Sequence, residues 1–167
     1  MTLYAHIISD SPVQHWGLTP RQRILRVLAS AGVTDIVDDL ASMPASGSVI
    51  LLRGDHLFDD RVVQYMVDGP DMLLLAPRQG HSRAVAARVG AHLAGQAADI
   101  MKETVNDPSL PGVKAETLQT LSISFQKRLL KFDPPFVLPV TPQNKANLER
   151  RLFDASYKGV TDLVTKW

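Results

Sequence analysis

The apolar run Val49-Ile50-Leu51-Leu52 breaks without transition into the polar turn Arg53-Gly54-Asp55-His56. A half-buried strand alternates apolar and polar residues, so a run without alternation suits a strand covered on both faces, as in a parallel sheet wrapped by helices. Residues 72–76, Met-Leu-Leu-Leu-Ala, repeat that pattern, and residues 3–9 read as a further short buried strand. Helix signals lie between them. Thr19-Pro20 supplies an N-cap and a first helical position, Ile24, Leu25, Val27, Leu28 and Ala31 follow at helical spacing, and Gly32 closes the helix. Asp59 is placed to cap a second helix with Val62, Val63, Met66 and Val67 inward, stopped by Gly69-Pro70. Residues 34–37 are a short strand candidate. Residues 84–89 are expected as a strand followed by a helix from about Ala91, although their alanine content also suits one long helix to Val105.

Beyond residue 105 the pattern loosens. Residues 106–112 are rich in Pro, Asn and Gly, and Pro134-Pro135 breaks the chain before a strand candidate at 136–140. Thr141-Pro142 repeats the helix start, and the rest to Trp167 is amphipathic and basic. Strand–helix alternation over the first 105 residues predicts a three-layer, Rossmann-like α/β fold with a mostly parallel sheet. The expected division is an α/β domain over 1–140 and a basic helical linker over 141–167. Ligands in such sheets sit at the carboxyl ends of the strands. Here those ends are Ser9-Asp10-Ser11, Arg53-Gly54-Asp55-His56 and Pro77-Arg78-Gln79-Gly80.

Composition removes several functions. With 167 residues the chain can bury a proper core. A net charge of +1 argues against a nucleic-acid binder, and the absence of cysteine removes disulfides, thiol catalysis and cysteine-ligated zinc. The near-zero charge hides an asymmetry. Residues 1–120 hold 10 Lys+Arg and 13 Asp+Glu, whereas residues 121–167 hold 8 and 4. The five histidines lack metal-ligand spacing of the i, i+4 kind, and no P-loop or Gly-x-Gly-x-x-Gly motif occurs.

Asp55, directly after a buried strand, suits either a hard cation such as magnesium or a turn that caps local amides. Arg21 and Arg23, in the first turn of the first helix, and Arg78, after the strand at 72–76, suit either phosphate or solvent. Asp59 and Asp60 suit the positive end of a helix dipole.

These stretches resemble the nucleotidyltransferase-like domain found ahead of bacterial CDP-alcohol phosphatidyltransferases, related to inositol-1-phosphate cytidylyltransferases. Three segments carry the resemblance. Residues 17–33, Gly-Leu-Thr-Pro-Arg-Gln-Arg-Ile-Leu through Ala-Gly-Val, are similar to the helix after the family's nucleotide loop. Residues 49–59, ending Gly54-Asp55-His56-Leu57-Phe58-Asp59, are similar to its Gly-Asp strand end, whose aspartate binds magnesium. Residues 153–167, with Tyr157-Lys158-Gly159-Val160-Thr161-Asp162, are similar to the linker into the first membrane helix.

Active members carry a Gly-rich, Arg-containing loop and a Lys-Pro pair after the first strand. Here residues 9–16 contain neither glycine nor lysine, so a triphosphate's charge would be poorly offset. The membrane enzymes' own signature, Asp-Gly…Ala-Arg…Gly…Asp…Asp, does not occur either. The resemblance therefore implies a degenerate, non-catalytic domain on the cytoplasmic side of the inner membrane, part of a longer enzyme of phospholipid synthesis. It would position, oligomerise as a homodimer, or weakly bind a nucleotide or polyol phosphate, with its basic end toward a membrane surface. An active magnesium-dependent nucleotidyltransferase making a CDP-activated polyol or sugar is a second expectation, and a protein-interaction module without small ligand a third.

Overall fold

The computed structural model describes residues 2–103, 105–121 and 135–156. Among the described residues there are seven strands: β1 (Leu3–Ile8), β2 (Ser48–Arg53), β3 (His56–Phe58), β4 (Met72–Arg78), β5 (His81–Gly90), β6 (Lys114–Thr117) and β7 (Val137–Pro139). Helices among the described residues include α1 (Pro20–Ser30), α2 (Asp60–Asp68), α3 (Ala91–Lys102) and α4 (Lys145–Ser156), with short 3-10 turns at Leu40–Ser42 and Pro142–Asn144; residues 118–121 are helical as well. The class is mixed α/β. Residues 34–37 form no strand; Ile36 makes a single parallel bridge to Ala5.

Five strands form one sheet in the order β1-β2-β5-β4-β6, and β3 pairs with β7 separately. The expectation of a mostly parallel sheet holds for half of the main sheet's pairings. β1 with β2 and β4 with β6 are parallel, whereas β5 is antiparallel to both neighbours. The cause is local. Gln79 and Gly80 both take positive φ, 49° and 82°, which makes the two-residue turn that folds a strand straight back on its predecessor. A parallel neighbour needs a crossover of a dozen or more residues.

Every residue of β2 is buried, in keeping with its unbroken apolar run. Ile50 and Leu52 pack with Ile24 and Leu28 of α1 and with Val62, Val63 and Met66 of α2. Val49 and Leu51 pack oppositely, with Ala94, Ala97, Ala98 and Met101 of α3. α1 starts as its sequence dictates: Thr19 accepts from the Gln22 amide, and the Gln22 side chain returns to the Thr19 amide, a reciprocal capping box. Asp59 caps α2 through the Arg61 amide at 2.9 Å.

α4 belongs in part to this body. Its Leu148 is buried against Leu57, Phe136 and Val140, with Val13 and Leu138 beside them. Of the expected helical linker over 141–167, residues 145–156 are helical with Leu148 buried, and residues 157–167 lie outside the described residues. Among the described residues no helix is long and apolar enough to cross a membrane.

Candidate functional site

β2 ends on a charge that it must bury. Arg53 is 4% exposed, and a guanidinium taken out of water needs partners for its donors. The chain supplies them two residues later. Gly54 and Asp55 form the turn into β3, and the Asp55 carboxylate accepts from Arg53 Nε at 2.9 Å and from Nη2 at 2.7 Å. Arg53 Nη1 donates to the carbonyl of Met101 in the last turn of α3. On the other side of Asp55, His56 Nδ1 lies 2.7 Å from the same Oδ1. The result is an Arg53–Asp55–His56 network joining β2, β3 and the end of α3.

Its electrostatics follow from that geometry. Burial pushes the Asp55 carboxyl up, but hydrogen bonds from His56 and Arg53, and then their charges, outweigh it and hold Asp55 well below the usual carboxylate range. Gly54 is needed where it stands. A Cβ there would overlap the Ser9 carbonyl oxygen, since β1 and β2 converge closely enough for the Gly54 amide to reach Ile8 O at 2.7 Å.

This carboxylate does not fit magnesium. Magnesium takes oxygen ligands in a near-octahedral shell. Both Asp55 oxygens already face N–H donors, and the Arg53 guanidinium would lie beside the ion. Among the described residues no group of three or more His, Asp or Glu could hold a metal.

The β1–α1 loop, where the resemblance implies a triphosphate, has several of its backbone donors engaged. The Ser11 amide donates to Asp10 Oδ1 at 2.8 Å and the Val13 amide to Ser11 Oγ at 3.4 Å. The His15 amide donates to Leu18 O and the Trp16 amide to Glu149 Oε1 on α4. An anion-binding loop aims free amides at its ligand; this one spends these four, and the Leu18 amide on His15 O at 3.2 Å, on itself and on α4, and two of the acceptors are carboxylates.

The candidate arginines part company. Arg21 faces Asp38 at 3.5 Å in an exposed pair. Arg23 turns the other way: its Nη2 donates to His15 O, and its guanidinium lies 5.9 Å from the Trp16 ring centroid. Arg78 ends β4 in the hairpin and is exposed. It shares a charge neighbourhood with Arg83, whose pKa is lowered by burial first and then by Arg53 and Arg78, while Asp55 opposes the shift.

Arg23 and His56 meet at a cavity of about 190 Å³ between α1, β3 and α4. Leu18, Val27, Phe58 and Leu152 supply its apolar wall, and Arg26 and Asp60 stand at its polar side. Small-molecule sites are typically about 300–1,000 Å³, so this cavity would take a small group rather than a nucleotide. Asp60 is pushed up by burial and then by Asp59.

Two residues escape a reading of the sequence alone. Arg53 carries a signal in hindsight, because a charge closing a strand buried on both faces demands a counter-charge nearby. His15 carries none. It is fully buried, and neither ring nitrogen has a hydrogen-bond partner among the described residues. No protein-family model matches the chain, and no curated protein matches it.

Proposed function

We propose that this chain is a non-catalytic, nucleotidyltransferase-like domain with a structural or regulatory role in a membrane CDP-alcohol phosphotransferase of phospholipid synthesis. Its architecture would be the three-layer, Rossmann-like kind. Apolar clusters on opposite faces of the sheet, one with α1 and α2 and one with α3, support that reading. The observation that carries the functional part is the β1–α1 loop: its Ser11, Val13, His15 and Trp16 amides are occupied, with Asp10 and Glu149 among the acceptors where a triphosphate would need free donors. The Arg53–Asp55–His56 network points the same way, because it turns a carboxylate that could serve a metal into a brace. A small phosphate ester is the ligand class that Arg23 and Arg26 at the cavity suit, held weakly and without turnover.

Incubating the purified chain with CTP, magnesium and a polyol phosphate tests the proposal. The expected outcome is no pyrophosphate release and no magnesium-dependent affinity for CTP. Turnover of any such pair overturns it, and would favour the active-enzyme alternative.

A further inference from the structure

Trp16 and Phe153 are large apolar residues standing in solvent, 53% and 51% exposed, and the fold brings the segments bearing them to one corner. Trp16 closes the β1–α1 loop, and its amide donates to Glu149 Oε1 at 3.3 Å. Phe153 stands one helical turn beyond Glu149 on the same side of α4, at the i, i+4 spacing. Arg23 of α1 lies over the Trp16 ring. The cavity beside it carries Arg26 on one wall and Leu152, the neighbour of Phe153, on another. Arg26 and Arg150 are exposed, and Arg150 stands three residues before Phe153 on the same side of α4. Three separate segments therefore contribute to an aromatic corner rimmed by arginines.

We propose that this corner docks on an anionic lipid surface, with the exposed arginines meeting headgroup phosphates and Trp16 and Phe153 entering the headgroup layer. The proposal rests on the reading that the chain works beside a membrane. It differs from attachment through the C-terminal segment alone, because it enlists the β1–α1 loop and α1. Aromatic rings suit that layer, being apolar in body and tolerant of a wet edge, and arginine adds attraction to an anionic leaflet. Charge complementarity also orients the domain. Residues 1–120 carry 13 acidic against 10 basic residues, so the body as a whole has no net attraction to an anionic surface and a local cluster of arginines must supply it. The acidic groups that oppose docking here are Glu149, which is held to the Trp16 amide, and Asp60 at the cavity.

The sequence has two tryptophans, so the Trp167→Phe chain reports on Trp16 alone. It is titrated with vesicles of phosphatidylcholine and with vesicles of equal parts phosphatidylcholine and phosphatidylglycerol. The Trp16 emission is expected to shift to the blue only with the mixed vesicles, and added salt should reverse the shift. Arg26→Gln and Arg150→Gln should each weaken sedimentation with mixed vesicles about 5-fold. Trp16→Ser combined with Phe153→Ser should weaken it more than about 10-fold, with circular dichroism unchanged. Three results each overturn the proposal: no shift with mixed vesicles, vesicle binding that survives the double substitution, or a lipid-free dimer in which Trp16 is already shielded. None of them bears on pyrophosphate release, so a failure here is separable from a failure of the non-catalytic reading.

Discussion

At the scale of the residue, the decisive feature is a charge buried at the end of a strand. Removing one member of a buried pair leaves the other uncompensated, which costs about 3–5 kcal/mol. The Asp55 side chain keeps 28% exposure, so the low end applies, and Asp55→Ala is expected to lose about 3 kcal/mol in urea unfolding at neutral pH. The pH dependence has a definite sign. Because the folded-state pKa of Asp55 is depressed, its contribution is present above the ordinary carboxylate pKa of about 4 and is lost only as pH falls through the lower folded value. The wild-type advantage over Asp55→Ala should therefore persist to about pH 4 and shrink in stronger acid; an advantage already gone at pH 5 would contradict the network. Gly54→Ala should cost about 2 kcal/mol from overlap with Ser9, read by the same unfolding curves.

At the scale of the element, the strongest sequence signals held because they are local. The Thr19-Pro20 start of α1, the Asp59 cap of α2 and the switch from strand to helix at Ala91 each depend on a few adjacent residues, and each appears where expected. The end of α2 is a different case. Gly69-Pro70 reads as a stop, but Gly69 does not take the left-handed conformation of a glycine cap. The carbonyls at the end of α2 are capped from the sheet face beneath it, by Arg88 Nη1 on β5. Arg88 donates to Met66 O at 3.0 Å, to Val67 O at 2.8 Å and to Gly69 O. Arg88→Met should destabilise the chain by about 2 kcal/mol, since hydrogen bonds from a charged donor are each worth roughly 1.5–3 kcal/mol and the freed carbonyls lie in a packed region. Hydrogen exchange should locate the loosening at the last turn of α2; a loss spread evenly over the fold would refute the capping role. The pairing of β3 with β7 was equally hidden. Three residues are too few to show a period, and their partner lies about eighty positions away in the chain.

At the scale of the whole molecule, α4 and the β1–α1 loop close over one another, and His15 lies inside that closure. Burial lowers the His15 pKa, with Arg23 and Lys145 lowering it further and Glu149 opposing. A histidine whose folded-state pKa is depressed takes up protons more readily when unfolded, so stability should fall as pH drops below its ordinary value of about 6.5. That window lies well above the one set by Asp55. Melting at pH 7.5 and pH 5.5 should show a larger drop for the wild type than for His15→Phe; equal drops would place the pH sensitivity elsewhere.

The sequence by itself determined the class of fold and the borders of its strongest elements, because unbroken apolar runs, helical spacing and capping residues act over a few neighbours. It also placed Asp55 just after the carboxyl end of a buried strand. The tertiary structure decided what Asp55 does there, because the geometry that commits its carboxylate to Arg53 and His56, and anchors Arg53 on α3, is set by three elements packing together. Tertiary packing likewise buried Leu148 of the basic tail and brought Glu149 of α4 onto the Trp16 amide of the β1–α1 loop. A lone carboxylate reads alike as a metal ligand or a brace; only the partners that folding delivers to its two oxygens separate these roles.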